Sequence, residues 1–300
     1  MFTLTRRTKR YRFGLGTMLV VLTVVCVWFG PKCYYAKRQQ LAVEAIQNVG
    51  GQFFYDYQAR RPSDPRGIGH AYVSGSEPNG PAFLRRLLFS GHFFDKPLAL
   101  KMFEKEAITN DCLVHLRSLP TLQEVHFWKV ELRGCDLTHL KHLPNLRLLT
   151  FYSETLSGTD PPRDFTFLRE LTMLESLSLA DSQFDDHDAV NLAGAKHLRN
   201  LFLLRSEIGD TGLAYLRPLK HLESLNLRNT NVTDEGLTYI SELPVLRQLD
   251  LSGCNISDKS VGHLSKMFAL RELWLSNTRI TKEGLRDLRD ALPKCEINAY

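Results

Sequence analysis

From Leu122 onward the chain returns every 24 residues to one pattern: L-x-x-L-x-L, a small polar turn, and a short apolar stretch. A period of that size forces a stacked architecture, because one unit cannot bury its apolar face alone and must lean on its neighbours. Leucines 174, 198, 222, 246 and 270 open successive units as LESLSL, LRNLFL, LESLNL, LRQLDL and LRELWL. In each, the fourth and sixth residues (Leu225 and Leu227, for example) alternate with polar ones, the pattern of a strand with one face in a core. Ten residues after the opening leucine comes another apolar residue (Phe184, Ile208, Val232, Ile256, Ile280), then turn and helix-start chemistry such as TDEG and SDKS. Apolar spacing of three in Leu213, Leu216, Leu219 and in Leu237, Ile240, Leu243 predicts about two helical turns per unit.

This strand consensus at this period resembles the leucine-rich repeats. The ninth position holds Ser182, Ser206, Thr230, Cys254 and Thr278, similar to the cysteine-containing or ribonuclease-inhibitor-like branch that includes the repeats of F-box adaptors. The resemblance implies an α/β solenoid with a curved parallel sheet on its concave side and short helices on its convex side. Leu122 (LQEVHF) and Leu146 (LRLLTF) open two earlier units, the second stretched to 28 residues by SGTDPPRDF, read as a convex-side insertion. A degenerate unit is expected to start at Leu98, its turn and helix matched by ITNDCLVHLRSLP but its strand spoiled by Lys101. Repeats then fill residues 98–300.

Residues 13–30, FGLGTMLVVLTVVCVWFG, carry no charge, and at 1.5 Å per residue an 18-residue helix spans about 27 Å of hydrocarbon. Arg6, Arg7, Lys9, Arg10 and Arg12 precede the run and only Lys32, Lys37 and Arg38 follow closely. The positive-inside bias therefore predicts a basic cytoplasmic tail (1–12), a single transmembrane helix, and repeats outside the cytoplasm. A cleaved signal peptide is the competing reading, but no A-x-A-like site follows the apolar run, and Val25 before Cys26 spoils a lipoprotein box. The net charge of +5 belongs to the tail: removing its five basic residues from 38 leaves 33, equal to the 33 acids, none of which lies before residue 31. Without a domain-wide basic field, nucleic-acid binding loses its electrostatic footprint.

A solenoid's first repeat has an uncovered apolar flank, so a cap is required, and residues 31–97 are the candidate. AKRQQLAVEAIQNVGG (36–51) reads as a helix with Leu41, Ala45, Ile46 and Val49 on one face, ended by Gly50-Gly51. QFFYDYQ (52–58) reads as a strand, residues 61–81 as a loop, and PAFLRRLLFSGHFF (81–94) as a further helix. The basic tail, anchor, AIQNVGGQFFYDY, PAFLRRLL and the ITDEGL-type repeats together resemble bacterial single-pass leucine-rich-repeat proteins of the planctomycete type. That resemblance implies protein interaction and no defined chemistry.

The six cysteines lack C-x-x-C spacing; Cys112 and Cys135 fall close enough in neighbouring units to pair, though free buried thiols are the expectation. G-x-S-x-G, H-E-x-x-H, G-x-x-x-x-G-K-S/T and G-x-G-x-x-G are all missing from the sequence. His139 and His142 have i, i+3 spacing, but a metal site needs further ligands. No catalytic residue, cofactor, metal or small-molecule substrate is therefore expected.

The register instead selects a surface. Side chains between and just after the strand leucines point out of the core. The fifth position gives His126, Thr150, Ser178, Phe202, Asn226, Asp250 and Trp274; the seventh gives Trp128, Tyr152, Ala180, Leu204, Arg228, Ser252 and Ser276. Trp128, Tyr152, Phe202, Leu204, Asn226, Arg228, Asp250 and Trp274 form the candidate protein-binding face. For the large apolar groups, the alternatives are that the 61–81 loop or the 156–165 insertion folds over them, or that they are ordinary scattered surface apolars. A membrane-tethered module binding a protein or peptide is the reading these features favour. An F-box-type adaptor would need a helical F-box where the anchor and cap stand, and an enzyme would need a site that no motif reveals.

Overall fold

The structure, a computed structural model, describes residues 15–60, 71–72, 95–103, 110–130, 132, 135–152 and 164–299. Helix α1 (Leu15–Asn48) leads into β1 (Gly51–Tyr55), and β2 (Ala59–Arg60) pairs with β3 (Ala71–Tyr72). The repeats supply β4 (Pro97–Phe103), β5 (Glu124–Trp128), β6 (Leu148–Tyr152), β7 (Ser176–Leu179), β8 (Asn200–Phe202), β9 (Ser224–Asn226), β10 (Gln248–Asp250), β11 (Glu272–Trp274) and β12 (Glu296–Asn298). Together with β1 they make one ten-stranded sheet in the order β1-β4-β5-β6-β7-β8-β9-β10-β11-β12, all parallel except the β1–β4 pair. The opposite side carries short helices: α2 (Asn110–Val114), α3 (Asp186–Ala189), α4 (Asp210–Ala214), α5 (Leu237–Ile240), α6 (Val261–Leu264) and α7 (Lys282–Ala291). Only α7 reaches the two turns that the leucine spacing predicts. In the other units the chain closes through shorter helices, turns and 3₁₀ segments, although the strands recur at the same 24-residue interval.

The first repeat opens one residue earlier than expected. Leu100 pairs with Val125 and Lys101 with His126, so Pro97 holds the first position, Leu100 and Met102 enter the core, and Lys101 faces outward with its ammonium over the Phe54 ring. A one-residue slip exchanges the faces of a strand, which is why a count from Leu98 put a lysine in the core. The cap differs from expectation in detail. One continuous helix runs from the apolar segment to Asn48 through Pro31. Its packed face is Ala42, Val43 and Ile46, while Leu41 is exposed. This face lies on the 3₁₀ turn His115–Ser118 of the first repeat. Gly50, at φ 87°, reverses the chain. Gly51 sits so close that a Cβ there would lie 2.5 Å from Ile46 Cγ2. Strand β1 ends at Tyr55, and residues 56–58 form a 3₁₀ turn. The expected 81–94 helix, most of the 61–81 loop and most of the 156–165 insertion lie outside the described residues.

Leucines of the first, fourth and sixth positions form one continuous core, with Phe127 stacked on Phe151 at 5.0 Å and Phe165 edge-on to Phe184 at 5.3 Å. Two polar devices repeat beside it. At the eighth position Lys129, Asp181, Arg205, Asn229, Gly253 and Asn277 all adopt positive φ. In the middle of the array this turns the amide toward the next repeat: Arg205 N–H donates to Arg228 O and Asn229 N–H to Ser252 O, both at 2.8 Å. The thirteenth position carries an aspartate ladder. Asp210 accepts the amide (2.8 Å) and hydroxyl (2.6 Å) of Thr233, Asp234 those of Ser257 (2.8 and 2.6 Å), and Asp258 those of Thr281 (both 2.8 Å). Acids that read as helix-start signals are thus staples between repeats. Asp185 does cap a helix, accepting the amides of His187 and Asp188.

Candidate protein-binding surface

The strand alternation that buries Leu201, Leu225, Leu249 and Leu273 turns Phe202, Asn226, Asp250 and Trp274 to the opposite face, in direct register across β8–β11. All four are half-buried. At the seventh position Leu204 is half-buried and Arg228 exposed, whereas Ala180 and Ser252 are buried. The structure therefore gathers six of the eight expected residues on four adjacent strands. Trp128 and Tyr152 pair with each other on β5 and β6, separated from Phe202 by Ser178 and Ala180 of the β7 repeat. Trp128 is 39% exposed and also engages a further residue. The Tyr152 side chain lies outside the described residues. Phe103 was missed by the sequence reading: it pairs with Trp128, is 37% exposed, and was hidden by the register slip in β4.

Small groups lie between the two aromatic clusters. Thr150 and Ser176 are buried and Ser178 half-buried. With strands about 4.8 Å apart, the interval from β6 to β8 is about 10 Å wide.

Three arginines on this face are neutralised in place. Arg147 meets Glu175 at 2.8 Å and Arg199 meets Glu223 at 2.6 Å along the second position, and Arg205 grips the Asp181 carboxylate with two nitrogens. His126 Nε2 stands 3.8 Å from Glu124. Asn226 and Asp250 each fold back on their own strand end, Oδ1 accepting the amide of Arg228 (3.0 Å) and of Ser252 (2.9 Å). Asn226 Nδ2 donates to Asp250 Oδ2 at 3.2 Å. Asn200, buried on the same face, has no acceptor for its Nδ2.

Among the described residues no group of His, Cys, Asp and Glu is placed to hold a metal ion. Cys112 and Cys135 do not form a disulfide with each other. Burial, with the neighbouring Cys135 second, pushes the Cys112 thiol up to about 11. Burial, opposed by the Asp185 amide and reinforced by the charges of Asp185 and Asp164, raises the Asp188 carboxyl to about 6. Asp188 belongs to the α3 capping box on the convex side, away from the candidate face.

Residues 219–241 and 242–264 match a family model described as Leucine Rich repeat. Among solved structures, internalin C2 from Listeria monocytogenes is 24% identical, with 67% of this chain and 81% of that chain covered at a TM-score of 0.52. An internalin (InlF) from the same organism is 19% identical, covering 67% and 73% at 0.48. A plant peptide hormone receptor, RGFR1 in complex with RGF2, is 17% identical, covering 61% and 29% at 0.43. No curated protein matches the chain. The repeat match and the likeness to internalin C2 agree with the strand order and register: this is a solenoid of leucine-rich repeats.

Proposed function

We propose that this leucine-rich-repeat solenoid is a membrane-tethered interaction module that holds a protein or peptide on its concave face and performs no chemistry of its own. The observation that carries the reading is Phe202 and Leu204 beside the exposed Arg228, on strands whose other outward residues are small or polar. The scaffold has no need of large apolar groups there, because inward leucines already fill the core. Apolar groups clustered on a surface mark interaction sites, and aromatic and arginine side chains dominate their binding free energy.

Two features support tethering. Residues 13–30 carry no charge, and along the first half of α1 Leu19, Val20, Val24, Val27 and Trp28 are all exposed rather than packed on the solenoid. Among the described residues no helix is long and apolar enough to cross a membrane; residues 13 and 14, which begin the uncharged run, are not among them. The basic tail predicts that the repeats lie on the non-cytoplasmic side.

Binding is tested with the full chain in detergent as bait, compared with the Phe202→Ala/Leu204→Ala/Arg228→Ala variant. The variant is expected to lose the species that the parent captures while melting at the same temperature; retained capture would overturn the concave-face reading. Protease added to intact cells should degrade the repeats, and degradation only after lysis would refute the topology.

A further inference from the structure

We infer that residues 28–38 of α1 form a collar that binds the phospholipid headgroups of the leaflet on the solenoid's side and seats the first repeat on the bilayer without a flexible linker; this rests on the reading of residues 13–30 as a membrane anchor. The inference starts from how α1 changes along its length. Leu19, Val20, Val24, Val27, Trp28 and Phe29 are exposed, and they face all round: Leu19 and Trp28, about two and a half turns apart, point to opposite sides. A helix apolar on one stripe lies along a membrane surface, whereas one apolar all round is surrounded by hydrocarbon or by protein.

The next turns carry a different chemistry. Trp28, Tyr34 and Tyr35 are exposed aromatic groups with a polar edge, the type that collects where hydrocarbon meets water. Lys32, Lys37 and Arg38 lie among them; none forms an ion pair among the described residues, and the first acid of the chain is Glu44. Side chains of a helix lean toward its N-terminus, and two of these cations do so: Lys32 Nζ lies 4.0 Å from the centre of the Trp28 ring and Arg38 Cζ 5.8 Å from that of Tyr34. Both charges bend toward the apolar half of the helix, which is where the phosphates of a bilayer begin. Pro31 falls in the same turn. It has no N–H for the Val27 carbonyl, an acceptor that headgroup water can satisfy and hydrocarbon cannot.

The lengths agree. With Trp28 at the edge of the hydrocarbon, Lys32 stands about 6 Å farther out, within a headgroup layer about 5–7 Å deep. Packing on the solenoid begins at Ala36, about 12 Å from Trp28 along the helix. From there Ala36, Ala42, Val43 and Ile46 are buried, and Gln39 Nε2 donates to the Asp95 carbonyl at 3.0 Å. The helix is unbroken from the collar to Asn48, so the bilayer surface fixes the height of the first repeat.

The test uses the full chain reconstituted in vesicles of phosphatidylcholine and phosphatidylglycerol, with Trp128→Phe and Trp274→Phe leaving Trp28 as the sole tryptophan. Trp28 fluorescence is expected to be quenched more by lipids brominated near the headgroup end of their acyl chains than by lipids brominated near the methyl end. In a second chain, with Trp28→Phe and Tyr35→Trp added, a quencher attached to the headgroup should act and acyl-chain bromine should not. Adding Lys32→Glu, Lys37→Glu and Arg38→Glu, none of them at a buried position, should remove most of that headgroup quenching without changing the melting temperature. A Tyr35→Trp chain quenched by acyl-chain bromine, quenched by neither lipid, or unchanged by the charge reversal overturns the inference. So does a Trp28 that no lipid quenches while the chain floats with the vesicles, since protein, such as a second copy, would then surround the helix. A chain that fails to float with the vesicles removes the anchor reading itself.

Discussion

At Gly212, Gly236 and Gly284 of the fifteenth position an aspartate of the preceding repeat occupies the place of a Cβ, while Ser260 fills the same position beside Asp234, and at Gly284 this predicts a mutation whose sign depends on another residue. Gly284 lies in the first turn of α7, where alanine would ordinarily stabilise a helix by about 1 kcal/mol. A Cβ at Gly284, however, would overlap Asp258 Oδ1 and lie 3.0 Å from Asp258 Cγ, with Ile280 Cγ2 next at 3.1 Å. Overpacking of this kind costs about 1–3 kcal/mol, so Gly284→Ala should destabilise the parent by up to about 2 kcal/mol net. Asp258→Ala alone removes the acceptor of the Thr281 amide and hydroxyl; two charge-assisted bonds at an exposed site are worth about 1–3 kcal/mol together. In the Asp258→Ala background the obstructing carboxylate is gone, and Gly284→Ala should become neutral or stabilising. Urea denaturation of the four proteins, with local exchange of the α7 amides as a second readout, gives the coupling, expected at about 1–3 kcal/mol. Effects additive within about 0.5 kcal/mol would refute the claim that the carboxylate occupies the place of the glycine's missing side chain.

Three further outcomes are expected. Asn200→Ser, matching Ser176 and Ser224 on the adjacent strands, removes a buried donor without an acceptor and should raise stability by about 1 kcal/mol; a loss of that size would mean the amide bears a bond. The Asp188 carboxyl titrates near 6 in the fold against about 3.9 unfolded, so the fold binds the extra proton and stability falls as pH rises between those values. Asp188→Asn should therefore equal the parent near pH 4 and exceed it at pH 7 by about 1 kcal/mol after discounting for solvent screening, and a constant difference across that range would contradict the assignment. Cys112, raised to about 11 by burial, should resist alkylation at pH 8 until denaturant is added; labelling of the native chain at the rate of a free thiol would refute its burial.

The repeats were legible because the alternation of leucines is a local property of each strand. The candidate face followed from the same alternation, and Phe202, Leu204, Arg228 and Trp274 do stand on one surface. The first repeat was misread because Pro97 fills a leucine position, and the slip of one residue hid both the outward Lys101 and the aromatic Phe103. Positive φ at the eighth position left little trace, since Lys129, Asp181, Arg205 and Asn229 occupy it where glycine would have announced it. Acids in TDEG and SDKS signal a helix start in any single repeat, and their real partners lie one repeat away. Pairing of charges is equally non-local: Arg199 and Arg247 share the second position, yet one finds Glu223 in the next repeat and the other forms no ion pair among the described residues.

Site-specific photocrosslinking tests the central claim most directly. A photoreactive side chain is placed at Leu204 on the concave face or at Tyr215, 42% exposed on the convex side, in the full chain, and irradiated in its native membrane. Adducts formed from position 204 and not from 215 are the expected result. Adducts formed from 215 while 204 stays unmodified would place the partner on the other side of the solenoid and contradict the account.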